Sequence, residues 1–251
     1  MSELYVLTWV IVGWLLAARW HALNIARRRR QQVKQGIEQL ALLLELVQLL
    51  QRHRGLCLNE AAVGGAEQRS LATQIDQHWR ELSGNGYPGD RQRLAQQAHH
   101  WQQLRPGHAD SFQQHCRLID QLLHELTVVA DNSTLTAMTD QAASRQLWDN
   151  LLYRPYYAEA LGRIRGLGSL AARTGHCSAR LRVQLQYLGR ELACYQLADS
   201  RSQQVLALLN EQILRPTTID MEAQRFFAQM SAFIDEQIQL TQGYLVRLKV
   251  G

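Results

Sequence analysis

The chain has 251 residues with only four prolines, and Leu, Ala, Gln and Arg are abundant. This composition favours an all-α protein over one built on sheets. The net charge of +5 is concentrated in residues 1–34, which hold six basic side chains and one acidic one, so the remainder of the chain is neutral. A neutral body argues against a nucleic-acid partner, because such a partner needs basic residues spread over the folded surface.

The N-terminal segment has the features of an uncleaved membrane anchor. Residues 4–18 carry no charge, and the apolar stretch extends to about residue 23 if Arg19 and Trp20 reach the membrane interface. A secretory signal peptide would have a basic region before its apolar core, and here the basic cluster follows the core. We therefore predict an anchor at residues 1–26 and a basic juxtamembrane segment at residues 27–34. The positive-inside rule then predicts a single-pass protein of the inner membrane, with the bulk of the chain in the cytoplasm.

From residue 31 onward apolar side chains recur at helical spacing, interrupted by short breaks rather than by strand patterns. The predicted helices cover about residues 31–62, 67–82, 91–104, 110–131, 139–153, 156–173, 178–214 and 217–248. Helices with short connections pack as antiparallel neighbours. We therefore expect residues 35–250 to form one or two up-and-down antiparallel helical bundles, with about eight helices in all.

Two arginine motifs interrupt the apolar seams of these helices. In Gln51–Cys57, Arg54 continues the three-and-four spacing of the preceding apolar residues, and in Leu161–Gly168, Arg165 does the same. A guanidinium on a packing seam is costly to bury unless an anion meets it. Arginines on two helices could hold an oxyanion between them, because the guanidinium fork donates to two oxygens at once. The alternative is that these arginines pair with glutamates or helix carbonyls inside the bundle.

Other chemistry-bearing residues predict neither catalysis nor a metal site. The four cysteines form no CxxC pair and are interpreted as buried small hydrophobic residues. Among His99, His100, His108 and His115 there is no helical pair of ligands with a third nearby. Gly84-x-Gly86-x-x-Gly89 matches the dinucleotide-binding pattern in letters, but no strand precedes it, so we interpret it as a turn. We expect a protein that is not an enzyme and that has no cofactor.

The arginine motifs resemble those of the nitrate- and nitrite-sensing domain family. Leu46–Cys57 is similar to that family's Leu-x-x-Leu-Gln-x-Glu-Arg-Gly-x-Ser helix, and Leu161–Leu167 is similar to its later Arg-Gly-Leu helix. Two positions depart from the pattern, since His53 replaces the usual glutamate and Cys57 replaces the usual hydroxyl residue. The resemblance implies an all-helical bundle that binds nitrate or nitrite through arginines at a helix interface. The residues it implies as ligands are Arg54 and Arg165, with Arg52, Arg163 and, more weakly, Arg225 beside them.

Two functions follow as hypotheses. The first is a membrane-anchored sensor that faces the cytoplasm, binds nitrate or nitrite, and signals through a homodimer or a separate output protein. The second is a helical scaffold or interaction protein at the membrane, which keeps the fold without the ligand, has its arginines in internal salt bridges and serves in docking.

Overall fold

The computed structural model describes residues 2–57, 65–84, 87–104, 111–133, 135, 141–195, 197 and 201–250. These ranges contain nine α-helices and no strand, which confirms the all-helical prediction. The helices are α1 Ser2–Cys57, α2 Ala66–Leu82, α3 Arg91–Gln103, α4 Ser111–Asn132, α5 Gln141–Trp148, α6 Arg154–Thr174, α7 Ala179–Cys194, α8 Ser202–Leu209 and α9 Ala223–Val250. Residues 58–62 of the predicted first helix, Gly86 and His108 lie outside the described ranges.

Two predicted boundaries are wrong. The break expected at Arg154–Pro155 is absent, because a π-helical turn, Asp149–Tyr153, joins α5 to α6. Pro155 has no N–H to donate within this continuous helix, and the π-helical turn directly before it, in which Arg154 N–H bonds to Asp149 O, replaces the ordinary α-helical bonding there. The single helix expected over residues 178–214 is divided into α7 and α8, and Arg201, just before α8, has a left-handed backbone (φ 48°).

The N-terminal part of the chain belongs to one uninterrupted helix, α1, of 56 residues. None of the helices that the structure describes is long and apolar enough to cross a membrane. The anchor at residues 1–26 stays a prediction.

The buried apolar residues form two clusters. The first joins the middle of α1 to α2, α3 and α4, and it includes Leu40, Leu50, Ile75 and Leu122. The second joins α6, α7, α8 and the first half of α9. The two clusters lie side by side, because α1 contacts α6 and α9 near the end of its length.

Cross-helix contacts give the directions of the central helices. Gln48 and Gly55 on α1 face Gln242 and Phe227 on α9, so α1 and α9 run antiparallel. Along α6, the hydrogen bonds from Arg154 and Arg165 go to positions 237 and 231 of α9, so this pair is also antiparallel. Helices α1 and α6 are consequently parallel, and both arginine motifs lie at the junction of α1, α6 and α9.

Candidate functional site

At the centre of this junction Arg54 forms an ion pair with Glu159. Arg54 is 1 % exposed and Glu159 is 2 % exposed. Arg54 reaches from α1 and donates from Nη1 and Nη2 to the two carboxylate oxygens, with Nη2 at 2.9 Å from Oε2. This two-bond arrangement uses the geometry in which arginine and carboxylate are most strongly paired.

Further donors complete the surroundings of Glu159. Gln51 donates from Nε2 to Oε2 at 3.0 Å, and Arg163, one turn further along α6, donates from Nε to Oε1 at 2.8 Å. Arg163 also forms an ion pair with Asp120 of α4. Burial by itself would raise the pKa of Glu159, but the charges of Arg54 and Arg163 lower that pKa below its usual value. Glu159 is therefore an anion that the protein itself supplies to two of the motif arginines.

A glycine makes room for the Arg54 side chain. A Cβ at Gly162 would lie 2.8 Å from Arg54 Nη2, which is closer than real Cβ contacts allow. Gly162 is part of the second motif, so one of the motif glycines serves the internal ion pair.

Arg165 has a different environment from Arg54. It donates from Nη1 to Ser231 Oγ at 2.9 Å, and its guanidinium lies 4.5 Å from the centre of the Phe227 ring. Among the residues that the structure describes, no carboxylate forms an ion pair with it. Burial, together with the positive charge of Arg54, lowers the pKa of Arg165 to about 10, and the negative charges of Asp235 and Glu159 oppose this only in part. A positive charge at this position is thus incompletely compensated.

Arg165 lies on the wall of a cavity of about 580 Å³ between α1, α6 and α9. The first motif contributes Arg52 and Gly55 to this wall, and the second contributes Gly166 beside Arg165. The other lining residues are Leu56, Glu67, Ser169, Arg173, Ala223, Gln224, Phe227, Ser231 and Asp235. The cavity is where residues of the two motifs meet around open space.

The structure therefore separates the predicted ligand residues into two groups. Arg54 and Arg163 both bind Glu159, as the alternative interpretation of the motifs described. Arg165 and Arg52 line the cavity, although the side chain of Arg52 is largely exposed. Arg225 is exposed and does not line this cavity.

A second polar cluster lies on the other side of α1 and was not expected from the sequence. His53 Nδ1 lies 2.9 Å from His115 Nε2 and 3.7 Å from Cys57 Sγ, and the three ligand-type atoms lie within 4.8 Å of one another. Burial lowers the pKa of His53 to about 4 and that of His115 to about 3, so both rings are neutral at pH 7. The sequence signal that could have found this cluster is the i, i+4 spacing of His53 and Cys57, which places both on one helix face.

Comparison with known proteins identifies the fold. No family model matches the chain, and no curated protein matches it. The solved structure of the NasR transcription antiterminator is similar, with a TM-score of 0.63 and 21% sequence identity, over 95% of this chain and 73% of that chain. At this level of identity the likeness shows a shared helical fold, and the two chains' functions are a separate question.

Proposed function

We propose that the chain is a sensor domain that binds a small oxyanion, nitrate or nitrite, in the cavity lined by Arg165. The observation that supports this most is the state of Arg165 itself. It is a largely buried guanidinium with no carboxylate partner among the described residues, and it borders open space where both arginine motifs converge. The motif resemblance to the nitrate- and nitrite-sensing family and the fold shared with NasR support the same proposal.

In this proposal the motif arginines have different tasks. Arg165 contacts the anion directly, because a guanidinium has five N–H donors and the bond to Ser231 leaves others for a ligand. Arg52 adds positive charge at the cavity rim. Arg54 is held by Glu159 and acts as a positioning residue, since the ion pair fixes α1 against α6.

Anion binding would then change the packing of α9. The cavity is far larger than one nitrate, so a bound ion must be surrounded by water or the helices must close around it. Arg165 already binds Ser231 and packs on Phe227 of α9, so an anion that draws Arg165 toward the cavity would move these α9 contacts with it. The anion therefore favours the more closed of two arrangements, which is a shift of population between packings.

Calorimetric titration of the full chain with sodium nitrate and sodium nitrite, with chloride as the reference anion, tests the proposal. We expect one anion per cavity for the wild type. Arg165→Gln should weaken binding about ten- to a hundredfold, because a hydrogen bond to a charged group contributes about 1.5–3 kcal/mol. Arg145→Gln is the matched control, since Arg145 is exposed on α5 and lies outside the cavity.

Absence of heat at millimolar nitrate and nitrite, or equal affinity in the wild type and Arg165→Gln, would refute the anion site. The scaffold hypothesis would then be favoured. Its specific support is Glu159, which already supplies an internal anion to Arg54 and Arg163.

The remaining sequence predictions stay predictions. They are the absence of catalysis, an output through a homodimer or a separate partner, and a single-pass location in the inner membrane with the bulk of the chain in the cytoplasm. Membrane fractionation of cells that produce the full chain, compared with a variant lacking residues 1–26, tests the last of these.

A further inference from the structure

We infer that His53, Cys57 and His115 form a binding site for a Zn²⁺-type metal ion. His53 and Cys57 are one turn apart near the end of α1, and His115 faces them from α4. The site uses side chains that the oxyanion proposal does not use. It also includes both positions at which the first motif departs from the sensing-family pattern, the histidine and the cysteine.

Two of the three distances between the ligand atoms are close to those of a tetrahedral zinc site, and all three are within 4.8 Å. Zinc bonds of about 2.05 Å to nitrogen and 2.3 Å to sulfur place two nitrogens about 3.3 Å apart and a nitrogen and a sulfur about 3.6 Å apart. Here the two nitrogens are 2.9 Å apart, and His53 Nδ1 is 3.7 Å from Cys57 Sγ. A shift of a few tenths of an ångström would therefore bring these two distances to the values of a zinc site.

The orientation of His115 also fits a metal ligand. Its Nδ1 donates to the backbone oxygen of Ser111 at 2.7 Å, which leaves the lone pair of Nε2 directed at the cluster. Metal-binding histidines commonly have such a hydrogen bond from the second ring nitrogen to a carbonyl or carboxylate. Trp101 packs edge-on against His53 with ring centres 5.0 Å apart and holds that ring in place.

A polar side chain also contacts the sulfur. Gln68 donates from Nε2 to Cys57 Sγ at 3.1 Å. Binding of Zn²⁺ forms the zinc–sulfur bond and releases the thiol proton to solvent. The proton that His53 Nδ1 donates to His115 Nε2 moves through solvent to Nε2 of His53, so both ring nitrogens that face the cluster become ligands, with no change of oxidation state. Two nitrogens and one sulfur from the protein leave a fourth position for water or another ligand. Imidazole and thiolate together suit zinc and copper and disfavour magnesium and calcium.

The test titrates the full, metal-stripped chain with Zn²⁺ against a coloured chelator, and with Co²⁺ as a spectroscopic probe. We expect one equivalent of zinc per chain and a cobalt spectrum that contains a thiolate charge-transfer band. Cys57→Ser should abolish that band and weaken zinc binding by more than tenfold. Gln68→Ala should weaken zinc binding about ten- to a hundredfold, as is typical when a partner of a ligand is removed.

Cys177→Ser is the matched control, because Cys177 is a buried free cysteine outside the cluster. It should keep the full zinc affinity and the charge-transfer band. Circular dichroism of each apo variant separates loss of a ligand from loss of the fold.

The inference is overturned if the folded wild type binds no zinc at micromolar concentration, or if Cys57→Ser binds it as well as the wild type does. In the first case the 2.9 Å contact is a hydrogen bond between two neutral rings. In the second case zinc binds to other histidines. Nitrate titration is independent of both outcomes, so failure of the metal site and failure of the oxyanion site can be told apart.

Discussion

Replacing Glu159 by glutamine tests whether the stability of the protein depends on this one carboxylate as the counter-charge of buried Arg54. Glutamine keeps the size of the side chain but removes the negative charge from a position that is 2 % exposed. Arg163 keeps its ion pair with Asp120, whereas Arg54 is left as a buried cation without a counter-charge. Breaking a buried pair in this way costs about 3–5 kcal/mol. For a chain of this size the midpoint of thermal unfolding should fall by about 6–20 °C.

Urea and thermal unfolding followed by circular dichroism measure the effect. Glu45→Gln is the control, because Glu45 is on α1 with its side chain 56 % exposed and pairs with His78, so its loss should cost less than about 1 kcal/mol. The double variant Arg54→Met, Glu159→Gln should be more stable than Glu159→Gln alone, because it removes the stranded charge. A loss below about 1 kcal/mol for Glu159→Gln, or a double variant that is less stable than it, would refute the reasoning.

Three further predictions concern the same junction. Ionised Glu159 adds stability above the pKa of a free glutamate, about 4.3, and this stability is lost as the pH falls through the lower pKa that Glu159 has in the folded protein. The difference in unfolding free energy between wild type and Glu159→Gln, measured by urea titration, should therefore shrink below about pH 4. Gly162→Ala should lower the unfolding free energy by about 1–3 kcal/mol, because the added Cβ would lie 2.8 Å from Arg54 Nη2. Gly243→Ala is the control: its Cβ would have no neighbour within 4 Å, so this variant should raise the unfolding free energy by about 0.5–1 kcal/mol. In the absence of anion, Arg165→Gln should unfold at the same temperature as wild type or at a higher one. The pKa of Arg165 is lowered to about 10, which means that the folded protein disfavours its charge, and the variant removes that charge. A clear loss of stability would show that the charge is satisfied within the protein.

The candidate site shows where sequence reasoning succeeds. The two motifs were recognised because Arg54 and Arg165 occupy helix positions whose spacing requires apolar residues. The structure places both motifs at one junction, as expected from that pattern. What the spacing could not show is which arginine has an internal partner. Glu159 is one of many glutamates in the sequence, and only the packing of α1 against α6 brings it to Arg54.

The cluster of His53, Cys57 and His115 illustrates the same limit. The pair on α1 is visible from its four-residue spacing, but the third member is 62 residues away from His53. The helix boundaries near Pro155 and Arg201 were also missed, because a π-helical turn and a left-handed residue depend on how the neighbouring helices pack.

By itself the sequence determined the helical class, most helix positions and the two arginine motifs, because helix propensity and apolar periodicity are local properties of the chain. Only the tertiary structure decided that Arg54 meets a carboxylate while Arg165 meets a cavity. The reason is that the partner of a buried charge is chosen by contacts between residues far apart in the chain. One arginine therefore stabilises the bundle, and the other lines the cavity.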